Sequence, residues 1–435
     1  MGKARFGAAA VVTWVALAAW LAPAASADTT CAFSPSSGNL QVDATDTTRV
    51  RADEGGHVVV SDYRPVFPGR PPGYGFVPVP CSDAESPGAT ADPTTTTTDS
   101  IDVRARSLAY DPIGPGSTAA GEGSSPEVEV AFNGTTLSIG GSAEADGAVF
   151  GVDAEAGGIA ANLNAQAEPG GVADADVIAP NLVALFYNGG AGDDTIDARG
   201  AAPVEGALPA TVAASLDGGN GTDVLDAGLG PTRLTAGHDF SDDQLHGGSG
   251  DDVLVPSGGD GDLIGGAGTD EVEFLGLPGV TVDLRVTEPQ VTGRGTKLIR
   301  EIENVTGSLE RDTLIGDDGP NALDGFKERG VIDGGAGDDR LQGEGRLVGG
   351  EGDDEVLGSF EDDRLFGGSG NDTLFGSGGV DVLLGEAGAD FLRARDRKPI
   401  FGGKLKGDRR IDCGPGRGAH ERARVDEADP EPRSC

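Results

Sequence analysis

Large apolar side chains are scarce in this chain of 435 residues. Aromatic residues make up 5% of it, and there are only one methionine and two tryptophans, whereas glycine contributes 74 residues. Globular domains usually divide beyond about 250–300 residues because a single core stops growing. With so few residues able to fill a large core, the composition argues against one compact globule and favours an elongated or multi-segment architecture.

Basic residues are also few. Lys and Arg together number 32, against 72 Asp and Glu, which gives a formal net charge of −40. Such a surface repels nucleic acid and anionic membrane surfaces, so the sequence predicts neither as a partner. An excess of carboxylates favours cations as ligands instead.

Cysteines occur only toward the two ends of the chain, as Cys31 and Cys81 and as Cys413 and Cys435. An even number of cysteines in an oxidising compartment is typical of disulfides. Three pairings are possible, and proximity in sequence favours Cys31–Cys81 and Cys413–Cys435. A zinc site is the alternative, but the close spacing of Cys and His ligands that it needs is lacking.

Long apolar runs are lacking except near the start of the sequence. Lys3 and Arg5 precede an apolar run over 8–21, and Ala25-Ser26-Ala27 supplies a small-x-small site. These are the parts of a secretory signal peptide, so we expect residues 1–27 to be cleaved on export and the protein to be secreted and extracellular. A membrane anchor is the alternative, but it normally needs about 18 or more apolar residues. We expect no membrane span elsewhere.

What the sequence does contain is a nine-residue repeat. Each unit opens with glycine, tends to aspartate at its sixth place and carries Leu, Val or Ile at its eighth. Five units in strict register between Gly349 and Arg393 read GGEGDDEVL, GSFEDDRLF, GGSGNDTLF, GSGGVDVLL and GEAGADFLR. Four units from Gly307 precede them, and a shortened six-residue unit, GEGRLV, separates the two series.

The same register occurs earlier in the chain. Four units follow one another from His238, and isolated units begin at Gly189 and Gly218. An insertion over 274–306 interrupts the period, and its segments TVDL and ENVTG look like strands. The repeat therefore extends over about half of the sequence, although several units are degenerate.

These units match the pattern GGxGxDxUx, in which U is a large apolar residue. In this the chain resembles the RTX-type, hemolysin-like nonapeptide-repeat proteins of bacteria, over residues 189–393. The resemblance implies an all-β fold, a parallel β-roll or right-handed β-solenoid, whose repeats bind Ca²⁺. Because no toxin or enzyme domain is recognisable beside the repeats, toxin activity is not part of the expectation.

The residues give the same picture without the family. Gly and Asp form a turn over the first six places, since Gly tolerates positive φ and Asp bonds to its own backbone. The last three places form a short strand with one inward apolar side chain, which units can bury only by stacking. If successive strands alternate between two facing sheets, one coil takes two units, or 18 residues. Residues at that spacing lie one rung apart, about 4.7–4.9 Å, so an ion with bonds of roughly 2.3–2.6 Å could contact both.

The sixth-place aspartates are therefore the candidate calcium ligands, and glycine-turn carbonyls would supply most of the rest. Asp354, Asp372 and Asp390 are expected on one edge and Asp363 and Asp381 on the opposite edge. Asp252 and Asp270 form another rung pair. Asp339 and Asp243 have degenerate neighbours and are expected to lack a full partner, and Asp194 and Asp223 stand in isolated units. The alternative is that these acids are solvated turn residues.

The flanking regions are less informative. Residues 28–188 contain short β-like runs, including 58–60, 128–132 and 182–186, between Pro- and Thr-rich loops. They predict a β-rich region, and a degenerate start of the same solenoid is one interpretation. Residues 394–435 are basic, and both a disulfide-closed cap and a loosely structured tail are compatible with them.

No catalytic motif is recognisable. The sequence lacks a His-Glu-x-x-His helix and a Gly-x-Ser-x-Gly elbow, so we do not expect an enzyme. The favoured hypothesis is a secreted calcium-binding repeat protein with a structural, surface or adhesive role. The alternatives are an exported β-helix enzyme, such as a polysaccharide lyase or hydrolase, and a surface interaction module with incidental calcium sites and an unknown extracellular partner.

Overall fold

The structure is a computed structural model. It describes residues 177–394, except 201–204, 277 and 327, as one nearly continuous stretch. Before this stretch it describes 30–34, 39–43, 47–52, 58–65, 74–79, 81–83, 90–91, 100–104, 107–110, 129–141, 147–152 and 159–162, and after it 410–413, 422–424 and 432. The expected signal peptide lies outside the described residues.

Every regular element in the described part of the chain is a β-strand. The strands up to the insertion are β1 Thr30–Ser34, β2 Asn39–Asp43, β3 Thr47–Ala52, β4 Val58–Pro65, β5 Tyr74–Val79, β6 Cys81–Asp83, β7 Thr90–Ala91, β8 Ser100–Arg104, β9 Ser107–Tyr110, β10 Glu129–Phe132, β11 Thr136–Gly140, β12 Gly147–Val152, β13 Ile159–Asn162, β14 Val177–Ala179, β15 Ala184–Asn188, β16 Thr195–Asp197, β17 Glu205–Ala207, β18 Ala213–Asp217, β19 Val224–Asp226, β20 Thr232–Thr235, β21 Asp243–Ser249, β22 Val253–Val255, β23 Gly261–Ala267 and β24 Glu271–Glu273. The remaining strands are β25 Thr281–Asp283, β26 Gln290–Val291, β27 Thr296–Arg300, β28 Asn304–Thr306, β29 Thr313–Ile315, β30 Ala322–Asp324, β31 Gly330–Ala336, β32 Arg340–Gln342, β33 Gly345–Glu351, β34 Glu355–Leu357, β35 Arg364–Ser369, β36 Thr373–Phe375, β37 Val382–Ala387, β38 Phe391–Arg393, β39 Arg410–Asp412 and β40 Arg422–Arg424.

Successive strands of the repeats alternate between facing sheets. One sheet, the first, includes β16, β19, β21, β23 and β27 in this order. In another, the second, parallel neighbours run β9, β11, β15, β18, β20, β22, β24, β28, β30, β32, β34, β36, β38 and β40. From the insertion onward a third sheet, β25, β29, β31, β33, β35, β37 and β39, takes the place of the first. This is a parallel β-roll, as the sequence predicts.

The strand register gives the length of one coil. In the second sheet Glu355 aligns with Thr373 and Thr373 with Phe391, and in the third sheet Arg364 aligns with Val382. Each step is two nonapeptides, because alternate units feed alternate sheets. The two-unit coil of the sequence interpretation is therefore the coil of the structure.

The eighth-place residues form the core of the roll. Leu365, Leu374, Leu383 and Leu392 are fully buried, while their strand neighbours are less buried. One inward side chain per strand is what a three-residue strand can offer. The core is therefore a narrow column of aliphatic residues, which explains why a chain poor in aromatics can still fold.

The six-residue unit GEGRLV is absorbed by a shorter coil. Gly330 aligns with Gly345 in the third sheet, and Arg340 aligns with Glu355 in the second, so both registers step by 15 residues. The turn before β33 is three residues shorter than the corresponding turn of a regular coil. The strands on either side keep their pairing, so the roll continues without a break.

Parallel stacking also extends beyond the repeats on both sides. β8 pairs with β10 and β9 pairs with β11, both in parallel, ahead of the first nonapeptide. β39 pairs with β37 and β40 with β38 after the last one. Antiparallel pairs, such as those that β4 makes with β3 and β5, occur among the strands that precede the repeats. Among the described residues no helix is long and apolar enough to cross a membrane.

Two strands were expected inside the insertion. TVDL contains β25, and ENVTG contains β28, and β28 joins the second sheet beside β24. Cys413 is buried directly after β39. Its expected partner Cys435 and the side chains of Cys31 and Cys81 lie outside the described residues, so both disulfide pairings stay predictions.

Candidate metal centre

Many of the turns between strands contain glycines with positive φ. In the unit from Gly367, Gly368 and Gly370 have φ of 122° and 138°, in the left-handed region that strains any L-residue with a side chain. A Cβ on Gly370 would also collide with the carbonyl group of Gly352 one rung earlier. The glycine pattern thus lets successive turns stack backbone against backbone.

On one edge of the roll the sixth-place aspartates form a ladder. We call the turns that lead into strands of the second sheet the first edge. There the amide of Asp354 donates to Oδ1 of Asp372 at 3.0 Å, and the amide of Asp372 donates to Oδ1 of Asp390 at 3.0 Å. All three carboxylates are buried. The three residues predicted to share an edge therefore lie on consecutive rungs.

The ladder of the first edge extends further back than expected. The amide of Asp339 donates to Oδ1 of Asp354 at 2.9 Å, and that of Asn321 donates to Oδ1 of Asp339 at 2.8 Å. The expectation that Asp339 lacks a full partner is corrected here, because the 15-residue coil keeps Asp354 on the adjacent rung. Asp354 is consequently an interior member of the ladder.

The opposite edge consists of the turns that lead into the first and third sheets, and we call it the second edge. The amide of Asp363 donates to Oδ1 of Asp381 at 2.9 Å, so the second predicted pair also occupies consecutive rungs. Sequence analysis missed Asp312, which occupies the sixth place of the unit from Gly307 and is buried on this edge. Its place as the sixth residue of a unit could have identified it as a candidate ligand.

In the earlier block both edges carry carboxylates. The amide of Asp252 donates to Oδ1 of Asp270 at 2.8 Å on the first edge. Beyond them the amide of Asp270 donates to Glu303 at 2.8 Å, so a glutamate from the insertion continues this ladder. The sequence gives no signal for Glu303, because it lies outside the repeat register.

The units of Asp194 and Asp223 are isolated in sequence but stacked in the structure. The amide of Asp194 donates to Oδ1 of Asp223 at 2.8 Å, and the amide of Asp223 donates to Oδ1 of Asp243 at 2.9 Å. Coils of irregular length separate these units along the chain, yet the sheet brings them into one ladder on the second edge. Asp243 thus has a rung neighbour, contrary to expectation.

In several of these aspartates the second carboxylate oxygen, Oδ2, has no hydrogen-bond partner among the described residues, and we call it the leftover oxygen. Among the described residues, a buried Oδ2 without a hydrogen-bond partner occurs in Asp223, Asp252, Asp270, Asp339, Asp354 and Asp372. Each of these aspartates ends a complete Gly-Gly-x-Gly-x-Asp turn. Burying an ionised carboxylate without enough hydrogen bonds or an opposite charge destabilises a protein. A cation beside Oδ2 would therefore be stabilising.

On the first edge a backbone oxygen lies close to each leftover carboxylate oxygen. A Cβ placed on Gly367 would lie within 3.0 Å of both Asp372 Oδ2 and the carbonyl oxygen of Gly385. Gly349 is placed in the same way between Asp354 Oδ2 and the Gly367 carbonyl oxygen. The first-place glycine thus leaves room for a carboxylate of its own unit and a carbonyl of the next rung to converge.

Burial raises the pKa of these carboxyl groups. Desolvation is the main cause, backbone hydrogen bonds oppose it, and neighbouring carboxylates add to it. The pKa of Asp252 is raised to about 8, those of Asp223, Asp339 and Asp372 to about 7, and that of Asp270 to about 6. A bound cation would reverse this effect by favouring the ionised form.

A second, exposed ladder runs outside the first and was not foreseen. The amide of Asp353 donates to Oδ1 of Asp338 at 2.9 Å, and the amide of Asn371 donates to Oδ1 of Asp353 at 2.7 Å. Its members occupy the fifth place, and the recurring Asp-Asp pairs at the fifth and sixth places were its signal. A shallow groove lined by residues of both ladders, including Asp339 and Asp354, follows this edge.

These residues fit a calcium ion if the backbone contributes. Among the residues that the structure describes, no group of three or more His, Cys, Asp or Glu side chains could hold a metal ion. Calcium takes six to eight oxygen ligands, carbonyls included, so the glycine carbonyls must complete the set. The arrangement of carboxylate and carbonyl oxygens, without nitrogen or sulfur, suits this hard cation.

Comparison with known proteins agrees with the geometry. A family described as the RTX calcium-binding nonapeptide repeat, in four copies, matches residues 186–202, 215–234, 239–272, 329–345, 346–374 and 357–392. All eleven predicted aspartates lie in these segments. No curated protein matches the chain. The matched segments are RTX-type nonapeptide repeats, which bind calcium ions.

Proposed function

We propose that this is a secreted protein whose β-roll folds on binding calcium and that serves a structural, surface or adhesive role. The observation that supports the proposal is the row of buried Oδ2 atoms without hydrogen-bond partners along the first edge. Bound there, calcium neutralises carboxylates that otherwise repel one another. Because only the folded chain brings these oxygens together, binding stabilises the fold by mass action.

The ligands that we propose are those with a leftover oxygen or a place in the same ladders. On the first edge they are Asp252, Asp270, Asp339, Asp354, Asp372 and Asp390, and on the second edge Asp194, Asp223 and Asp381. The two other predicted ligands, Asp243 and Asp363, already accept hydrogen bonds from serines and are considered separately below.

Secretion and the absence of catalysis belong to the same proposal. The basic start, the apolar run over 8–21 and Ala25-Ser26-Ala27 support export. Affinities of roughly 10⁻⁴–10⁻³ M are typical of extracellular calcium modules. Carboxylates repeated on successive rungs of the roll support a structural role over an enzymatic one.

A calcium titration of the full mature chain tests the proposal. Far-UV circular dichroism and hydrodynamic radius are recorded in chelator and up to ~10 mM calcium, well above the affinity expected of such modules, with magnesium as the control ion. We expect strand signal to rise and the radius to fall with calcium alone. Unchanged spectra and radius would overturn calcium-coupled folding.

Export is tested separately. Expression in a bacterial host with a general secretion system, followed by intact-mass analysis of the medium or periplasm, should give a chain that begins at Asp28. A protein retained in the cytoplasm with residues 1–27 attached would contradict this part of the proposal and leave the calcium chemistry untouched.

A further inference from the structure

The two edges of the roll differ in what their carboxylates contact. On the first edge Asp339, Asp354 and Asp372 each have an Oδ2 without a hydrogen-bond partner among the described residues. On the second edge the corresponding oxygens of Asp312 and Asp363 accept hydrogen bonds within their own units. The difference lies in the second place of the unit, which is glycine in the former group and serine in the latter.

Ser359 occupies the second place of the unit that contains Asp363. Its amide and its hydroxyl both donate to Asp363 Oδ2, at 2.6 and 3.1 Å. The amide of Gly345 donates to Oδ1 at 2.7 Å. Both oxygens of this buried carboxylate are therefore satisfied by donors of the protein itself, without a cation.

Asp312 is satisfied in the same way. The amide of Ser308 donates to Oδ2 at 2.9 Å, its hydroxyl donates to Oδ1 at 2.8 Å, and the amide of Val280 donates to Oδ1 at 2.8 Å. Ser308 and Ser359 hold the same place in their units. The capping arrangement therefore recurs in two units of this edge.

In the earlier block the second edge uses a serine and a buried lysine. Ser257 donates its hydroxyl to Asp243 Oδ2 at 2.5 Å. Lys297 is only 1% exposed and donates its Nζ to the carbonyl oxygen of Asp260 at 3.1 Å. In the sheet Asp243 aligns with Gly261 and Gly261 with Lys297, so the ammonium enters the turn region where Asp243 and Asp260 lie.

A calcium ion could bind at these turns only by displacing the existing donors. Hydrogen bonds to a charged group are stronger than those between neutral groups, and a carboxylate with two or three of them has few lone pairs left. At Asp243 the nearby ammonium of Lys297 would also repel a divalent cation. We therefore expect calcium to bind the first edge more tightly than these three turns of the second edge.

We propose that the turns at Asp243, Asp312 and Asp363 on the second edge keep their structure without a metal ion. There serine hydroxyls, backbone amides and the Lys297 ammonium supply the hydrogen bonds and positive charge that calcium would supply on the first edge. Calcium then controls the order of the first edge, while the turns at Asp243, Asp312 and Asp363 on the opposite edge keep their order without it. The inference rests on the proposed calcium-coupled folding.

Asp363 and Asp372 form a matched pair for the test, since both are buried and both lie within ladders of the same block. Asp363→Asn and Asp372→Asn are compared in the full mature chain by calcium titration and by thermal unfolding in chelator and in calcium. We expect Asp372→Asn to raise the calcium midpoint roughly three- to tenfold, and Asp363→Asn to change it by less than about twofold. Asp363→Asn should lower Tm by the same amount in both conditions.

An equal rise of the calcium midpoint in both variants would overturn the inference. A wild-type chain without any calcium response would instead overturn the proposed function, so the two failures are distinguishable.

If Asp363→Asn does not fold, amide hydrogen exchange of the wild-type chain in chelator and in calcium tests the inference instead. The amides of Gly345 and Ser359, which donate to Asp363, should stay protected in chelator. Those of Asp339 and Asp354 should lose protection. Loss on both edges together would also overturn the inference.

Discussion

The sixth-place aspartate of a Gly-Gly-x-Gly-x-Asp turn uses its two oxygens differently. Oδ1 accepts the amide of the preceding rung and so ties successive coils together, as in Asp372, whose Oδ1 lies 3.0 Å from the amide nitrogen of Asp354. Among the described residues, Oδ2 of Asp372 has no hydrogen-bond donor. One residue thus supplies both a structural hydrogen bond and a ligand, and substitution by Asn should separate the two roles.

The first prediction ranks the carboxylates of the first edge. Asp354 and Asp372 are buried and have ladder neighbours on both sides, whereas Asp353 is exposed in the outer ladder. Because ligand charge tunes calcium affinity, Asp354→Asn and Asp372→Asn should raise the calcium midpoint for folding more than Asp353→Asn. Circular dichroism during calcium titration measures it. Equal midpoints for all three variants would reduce these acids to generic countercharge.

The second prediction concerns the glycine of the turn. Gly370→Ala forces a side chain into φ of 138° and against the Gly352 carbonyl, so it should lower the free energy of unfolding in calcium by at least about 1–2 kcal/mol. Gly319 holds the same fourth place in its unit but has no such φ and no close neighbour. Gly319→Ala is therefore the control and should change stability little. Denaturant unfolding measures both.

At the scale of the element, the sequence periodicity predicts which strands and turns pair only where the unit length is constant. The nine-residue step gives the eighth-place core and the Asp354–Asp372–Asp390 ladder correctly. It does not foretell that Asp194 and Asp223 stack, because coils of irregular length separate their units. It is also silent on whether a serine turns toward its carboxylate, as Ser359 does, since that depends on local backbone geometry that composition does not encode.

The third prediction tests the tolerance of the two edges to loop length. The turn at Gly343–Gly345 has already lost three residues without disturbing the Asp339–Asp354 contact on the other edge. Restoring three residues after Glu344 should change the free energy of unfolding by less than about 1 kcal/mol, because loop entropy grows slowly with length. The same insertion after Gly370 should abolish part of the calcium response. Comparable losses at both sites would show that the edges do not differ in this way.

At the scale of the whole molecule, the chain combines a net charge of −40 with rows of buried carboxyl groups. Cations bound along the first edge would neutralise the row of buried carboxylates there, and the serine-capped turns would keep their part of the opposite edge in register. The roll therefore needs neither a large core nor many aromatic residues. Its stability should depend on two solution variables, calcium and pH, and their effects should be opposed.

The fourth prediction follows from the raised pKa values. Asp223, Asp252, Asp339 and Asp372 have pKa values of about 7 to 8 in the metal-free fold against an ordinary value of 3.8. Between pH 4 and pH 8 the folded chain therefore holds more protons than the unfolded chain, so the free energy of unfolding falls as pH rises. In chelator, Tm should be higher at pH 5 than at pH 8. In calcium the order should reverse, because protons compete with the ion for the same oxygens. Thermal unfolding at both pH values, with and without calcium, checks this, and a Tm in chelator that rises with pH would mean that these carboxylates are ionised and solvated in the metal-free fold.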